Sequence, residues 1–141
     1  MAFTGNYSCN TLRSGLANGT INFASDTFYL ALYTNAATLD ETTTAYTTVG
    51  EAAGGTYVAG GQVVTATVSS EPNNAGGSTT YINFSSPAWT GAITARGALI
   101  YTPGANGAVC VLDFGSDKTS VVSFTVQKPE NTASSALIRI V

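Results

Sequence analysis

Residues 28–33 read Phe28-Tyr29-Leu30-Ala31-Leu32-Tyr33. Side chains on a strand alternate between its two faces. Phe28, Leu30 and Leu32 therefore share one face, and Tyr29, Ala31 and Tyr33 share the other. Neither face is polar, whereas a strand of an ordinary two-sheet domain shows one polar face. Whatever this chain folds into must cover both sides of this strand. The second cover is either a helix or loop of the same chain or a neighbouring subunit, since Tyr is enriched at interfaces.

The segments that follow confine the fold class. Tyr57–Val68, Thr80–Phe84, Ile93–Tyr101, Ala108–Phe114, Val121–Val126 and Ala136–Val141 are β-type runs. Gly60-Gly61 breaks the first run, as a tight hairpin or as a kink in one bent strand. The turn signals at residues 71–77, Asn106-Gly107 and residues 115–118 lie between the others. Trp89 falls in a predicted loop between Pro87 and Gly91. Eight or nine strands at this spacing predict an all-β domain spanning residues 1–141, a jelly-roll-like antiparallel sandwich. One short helix is predicted over residues 8–18, where Cys9, Leu12 and Leu16 share a face and Gly19 is a stop signal. The predicted core is Phe28, Leu30, Leu32, Ile82, Phe84, Leu99, Val109, Val111, Phe124, Val126 and Ile138. Residues 35–55 form a Thr-rich connection without a clean period, long for a compact domain. Both an arm reaching a neighbour and a loop folded over its own domain fit it. Tyr46 and Val49 give it grip on a surface.

Composition narrows function. The chain has no histidine, five Lys or Arg and eight Asp or Glu among 141 residues. A Ser-His-Asp triad and a His-containing zinc site are excluded, and two cysteines are too few for an all-thiolate zinc site. The five cations are scattered, which argues against nucleic-acid binding. No apolar run approaches the roughly 20 residues of a helical membrane span. The N-terminus lacks the basic and apolar regions of a secretory signal. Cys9 and Cys110 read as buried free thiols rather than a disulfide framework. Asp40, Glu41, Glu51, Glu71, Asp113 and Asp117 are the acids from which a glycosidase pair would have to come, but they lie mostly in loops where solvation is the default. Asp113, Ser116 and Asp117 offer oxygens to calcium at a spacing that matches no EF-hand, and an Asp-stabilised turn fits better. Asp113-Phe114-Gly115 spells a kinase magnesium triplet with no other kinase element present. No cofactor is expected. Charged residues are 9% of the chain, against about 25% in soluble domains. A free monomer so poor in charge is weakly protected against association, so contact with other protein chains is expected. Arg96 lies inside an apolar strand and needs a carboxylate partner, within the fold or across a subunit contact.

Three segments together resemble small virion structural proteins of tailed bacteriophages. They are Phe28–Thr48, containing Thr38-Leu39-Asp40 and Thr43-Thr44-Ala45-Tyr46-Thr47-Thr48; the strand Ala95–Tyr101; and Val111–Thr119, which contains Leu112-Asp113-Phe114-Gly115-Ser116-Asp117-Lys118. The likeness runs from about residue 3 to 141 and carries no catalytic motif. It implies a capsid cement or decoration protein on the outer shell of the particle, made in the bacterial cytoplasm. Its partners would be the major capsid protein and copies of itself, with Tyr29, Tyr33, Leu39, Tyr46, Val49 and Arg96 as interface candidates. A tail- or fibre-associated protein that binds carbohydrate, with Trp89 and tyrosines stacking on sugar rings, is the alternative.

Overall fold

The computed structural model describes residues 3–74 and 76–140. Val141, the end of the last predicted strand, and Ala75, in the predicted 71–77 turn, lie outside the described residues. The fold is all-β with antiparallel sheets and one short helix. The strands are β1 (Tyr7–Ser8), β2 (Phe28–Tyr33), β3 (Gln62–Val64), β4 (Ala66–Pro72), β5 (Ser78–Phe84), β6 (Ala88–Thr90), β7 (Thr94–Tyr101), β8 (Ala108–Thr119), β9 (Ser123–Thr125) and β10 (Ile138–Ile140). They pair into a five-stranded sheet, β1-β8-β7-β2-β3, a three-stranded sheet, β10-β5-β4, and a two-stranded ribbon, β6-β9.

Strand β2 lies inside the five-stranded sheet, paired with β7 through Leu30↔Ile100, Ala31↔Leu99 and Leu32↔Ala98. Its Phe28, Leu30 and Leu32 face, with Ala98, Ile100 and Cys110, packs against Ile82 and Phe84 of β5 and against Trp89 and Phe124 of the ribbon. This is the sandwich core. Phe23, Phe28 and Phe84 meet in it at ring separations of 5.2–6.0 Å. The opposite face, Ala31, Tyr33, Leu99, Tyr101 and Val111, forms a second core with Phe3, Cys9, Ala37 and Leu39. Leu99 and Val111 thus belong to the second core, not the sandwich core, as their register opposite Ala31 requires. Val126 and Ile138 are only partly buried against the sandwich core.

Helix α1 (Asn10–Asn18) ends at Gly19, which takes the left-handed conformation (φ +80°) that glycine adopts without strain. Its buried face is Thr11, Leu12 and Gly15, and Leu16 is exposed. Gly15 sits in a helix interior because a Cβ there would stand 2.7 Å from the Ile21 side chain. Close approach of the returning chain outweighs the propensity cost.

Glycine and aspartate marked irregularity correctly but not always strand ends. Asn106 (φ 61°) and Gly107 make the expected β7–β8 turn, closed by Thr102 N–H donating to the Gly107 carbonyl at 2.8 Å. Residues 115–118, expected to be a turn, lie within β8. Lys118 faces Ala95 and Asp113 faces Gly97, so residues 114–117 bulge outward opposite Arg96. Residues 57–59, expected in a strand, lie outside any strand, and the expected Gly60-Gly61 break is a turn at positive φ that leads into β3. Val121 and Val122 are exposed and precede β9, whereas Trp89, expected in a loop, is buried in β6.

Candidate functional site

Residues 35–55 fold over their own domain. The Asn10 amide donates to the Glu41 carbonyl (2.8 Å), Ala108 to Thr44 (3.0 Å), Thr34 to Gly50 (2.8 Å) and Ala52 to Leu32 (2.9 Å). These bonds tie the segment to the helix, to β8 and to the end of β2. Ala37 and Leu39 drop into the second core. Gly50 is required where the segment crosses itself, since its φ is +76° and a Cβ would stand 2.5 Å from the Ala37 nitrogen. The Tyr29/Ala31/Tyr33 face is therefore covered by the chain itself.

Glu51 is the clasp of this cover. The Tyr46 hydroxyl donates to its Oε1 at 2.6 Å, and the Tyr57 hydroxyl and Gly60 amide donate to its Oε2 at 2.6 and 2.7 Å. One partly buried carboxylate thus joins residues 46, 57 and 60, and charge makes each bond stronger than a neutral one. Tyr57 in turn accepts from the Leu32 amide (3.0 Å), Tyr33 donates to the Thr47 carbonyl (2.7 Å), and Tyr101 donates to the Gly60 carbonyl (2.7 Å). Burial is the first cause that pushes the Tyr33, Tyr46 and Tyr57 hydroxyls well above the ordinary phenol range. For Tyr46 and Tyr57 the bond to Glu51 adds to it. Tyr101 is pushed up to about 12 by burial, then by the charge of Glu51.

The rings stack where the clasp meets the sheet. Tyr101 lies 5.7 Å from Tyr29 and 5.0 Å from Tyr46, with interplanar angles of 23° and 18°. Beside them is an open groove of about 520 Å³, lined by Tyr29, Tyr46, Tyr101, Gly60, Pro103 and Ala105, among others. Its lining carries no charged side chain.

Arg96 pairs inside the fold, its Nε 3.2 Å from Asp113 Oδ1. The same oxygen accepts from the Gly115 amide at 2.8 Å, and the Asp113 amide donates to Asn6 Oδ1 at 2.6 Å. The Gly115 bond, and then Arg96, hold the Asp113 carboxyl below the usual range, against the opposing effect of burial. The carboxylate fixes the β8 bulge.

Of the six interface candidates, Tyr29, Tyr33, Leu39 and Tyr46 come together in and around the second core. Tyr33 and Leu39 are buried there and have no surface to offer a partner. Tyr29 and Tyr46 are partly exposed on the groove. Val49 is 71% exposed, and Arg96 is occupied by Asp113. Trp89 is buried against Tyr57 and is not available to stack on a sugar. Glu51, Tyr57 and Tyr101 organise the cluster; the sequence offered Glu51 only as one of six candidate glycosidase acids, and neither tyrosine as a site residue. The available signal was a lone acid in a Thr- and Gly-rich stretch, with a tyrosine five residues before it and another six after.

The thiols of Cys9 and Cys110 are free and buried. Burial, with a contribution from Asp40 that Arg13 partly offsets, raises Cys9 to about 11, and burial raises Cys110 further. Neither is a thiolate at neutral pH. Among the described residues, no three His, Cys, Asp or Glu side chains are placed to hold a metal ion, and no helix is long and apolar enough to cross a membrane. No protein-family model, curated protein or solved structure matches the chain.

Proposed function

We propose that this chain is a non-enzymatic structural subunit of a tailed-bacteriophage particle, a jelly-roll-like cement or decoration protein on the outer capsid shell. It bridges neighbouring subunits of the major capsid protein and associates with copies of itself. The observation that carries this reading is a charge-poor surface on which several valines are exposed. Val49, Val58, Val63, Val121 and Val122 are exposed, Val121 to 81%, on a chain with 9% charged residues. Scattered apolar residues are normal on a surface, but with this little charge around them they suit burial against protein. The acidic balance, with a formal net charge of −3, suits an outer shell better than contact with packaged DNA. Of the acids with the most elaborate surroundings, Glu51 has both carboxylate oxygens, and Asp113 its Oδ1, engaged in fold-holding bonds.

A cement protein acts by mass action, since binding the assembled shell stabilises that shell. Particles lacking the protein should release DNA at lower temperature and recover when purified protein is added. Particles that keep their heat resistance without it contradict the reading. The tail-adhesin alternative keeps one favouring observation, the uncharged groove flanked by Tyr29, Tyr46 and Tyr101. It predicts particles of normal heat resistance that fail to adsorb, and glycan binding lost in Tyr46→Ala.

A further inference from the structure

Natural sheets protect their edges from pairing with other chains by keeping edge strands short, or by charging, bulging or covering them. Here β1 has two residues, and β3, β6, β9 and β10 have three each. Strand β4 is the long one. It forms the outer edge of the three-stranded sheet and spans seven residues. Its one charge, Glu71, and its one proline, Pro72, stand at its end, leaving residues 66–70 without either. Thr67, Val68, Ser70 and Glu71 are all exposed.

The direction of its backbone follows from the register. The Ser85 amide donates to the Thr65 carbonyl, and the Asn73 amide to the Gly77 carbonyl. The register between these two points is unbroken. Residues 65, 67, 69, 71 and 73 therefore direct their backbone groups toward β5, and Ala66, Val68 and Ser70 direct theirs outward. Pro72, which has no N–H, occupies an outward position, where the loss costs no intrachain bond. On the side-chain level the edge is also unfinished. Val68 lies directly across from Ile82, which is 2% exposed and faces Ile138 on the other side. Val68 shares that core face but is 50% exposed, because among the described residues no strand lies beyond it.

We propose that β4 pairs antiparallel with β4 of a second copy, across a two-fold axis at Val68. The edge is self-complementary in this register. Ala66 meets Ser70 of the partner, Val68 meets Val68, and about six backbone hydrogen bonds form. Glu71 falls opposite Thr65, so no like charges face each other. Pro72, where the ladder must stop for want of an N–H, falls opposite Val64, where the chain has already turned into β3 of the other sheet. Each end of the usable edge thus terminates against the other, a match that an arbitrary peptide would not supply. Pairing also covers both Val68 side chains. The inference rests on the structural-subunit reading in naming a second copy as the partner, and a closed two-fold contact uses up the edge without open-ended growth.

The test uses the purified chain alone, by sedimentation velocity from low to high micromolar concentration. The wild type should be a dimer. Val68→Lys and Val68→Glu should each be monomeric with wild-type circular dichroism, because like charges would meet at the two-fold. An equal mixture of the two should dimerise again, because opposite charges meet there. Ser70→Pro alters an exposed position and removes two intermolecular bonds, so it should weaken the dimer roughly tenfold or more whether or not the Val68 variants fold. A wild-type monomer across the range overturns the pairing while leaving the capsid reading intact. A dimer indifferent to Ser70→Pro and to both charges at position 68 also overturns it. Dimers that never occupy particles would instead overturn the capsid reading alone.

Discussion

The two faces of β2 are closed by different chemistry. On one side Phe28, Leu30 and Leu32 meet other sheets, and the contacts are almost all apolar. On the other, Ala31 and Tyr33 meet residues 35–55, a segment without regular secondary structure that is held by backbone bonds, tyrosine hydroxyls and the Glu51 carboxylate. The sandwich side needs little directional bonding, because neighbouring strands already satisfy one another's backbone groups. The loop side has no such ladder. Its polar backbone must find specific partners where it covers the sheet. Backbone groups of the helix, β2 and β8 supply several. The Tyr33 hydroxyl takes the Thr47 carbonyl, and Glu51, held by Tyr46 and Tyr57, extends the clasp to the Gly60 amide. The same sequence alternation, apolar on both faces, is thus satisfied once by packing and once by a hydrogen-bonded clasp.

Substitutions on the two faces should separate these mechanisms. The largest effect is expected from Phe28→Ala, which opens a cavity in the sandwich and should cost about 3–5 kcal/mol in chemical denaturation. Glu51→Ala comes next. It leaves two tyrosine hydroxyls and the Gly60 amide without their acceptor and should cost about 2–3 kcal/mol. Its hydrogen-exchange losses should be confined to residues 35–61 and the β2 amides beneath. If they spread evenly over β5, the clasp is not local. Asp113→Asn should cost about 0.5–1 kcal/mol, the scale of a modest ion pair. Since the Asp113 carboxyl is depressed in the fold, its contribution is present above the unfolded value of about 4 and is lost as pH falls through the folded one. The stability gap between wild type and Asp113→Asn should therefore close on acidification below about pH 4, and a gap that widens would reverse the assignment. Val49→Thr, on the outer surface of the clasp, should change monomer stability by less than about 0.5 kcal/mol.

The sequence carried the sandwich side of this comparison better than the loop side. Alternation at 28–33 and 80–84, and the Asn106-Gly107 turn, made the strands and their core faces readable. Leu99 was legible as buried, but not as belonging to the opposite face, because that depends on its register against Ala31. Bulges were misread for a related reason. Gly115 signals a break in regular strand geometry, and nothing local tells whether the strand ends there or bulges and continues, as β8 does. The clasp was hardest to see. Tyr33, Tyr46, Tyr57 and Tyr101 converge on one region only after the chain has turned through Gly50, Gly60 and Gly61, and their spacing has no periodicity. Tyr33 and Leu39 looked like interface residues for the reason that they are core: they cover an apolar face, but it is the chain's own.

That distinction decides whether residues 35–55 are a finished part of the domain or an arm awaiting a neighbour. Amide hydrogen exchange on the isolated chain at concentrations low enough to keep it monomeric measures it directly. The amides of Thr34, Ala52 and Gly60, which are bonded within the clasp, should be protected to a degree approaching those of β2 and β7. Exchange at these three amides at the rate of an unstructured chain, with β2 and β7 still protected, would mean that the second face of β2 is open in the free subunit and that the clasp does not close it.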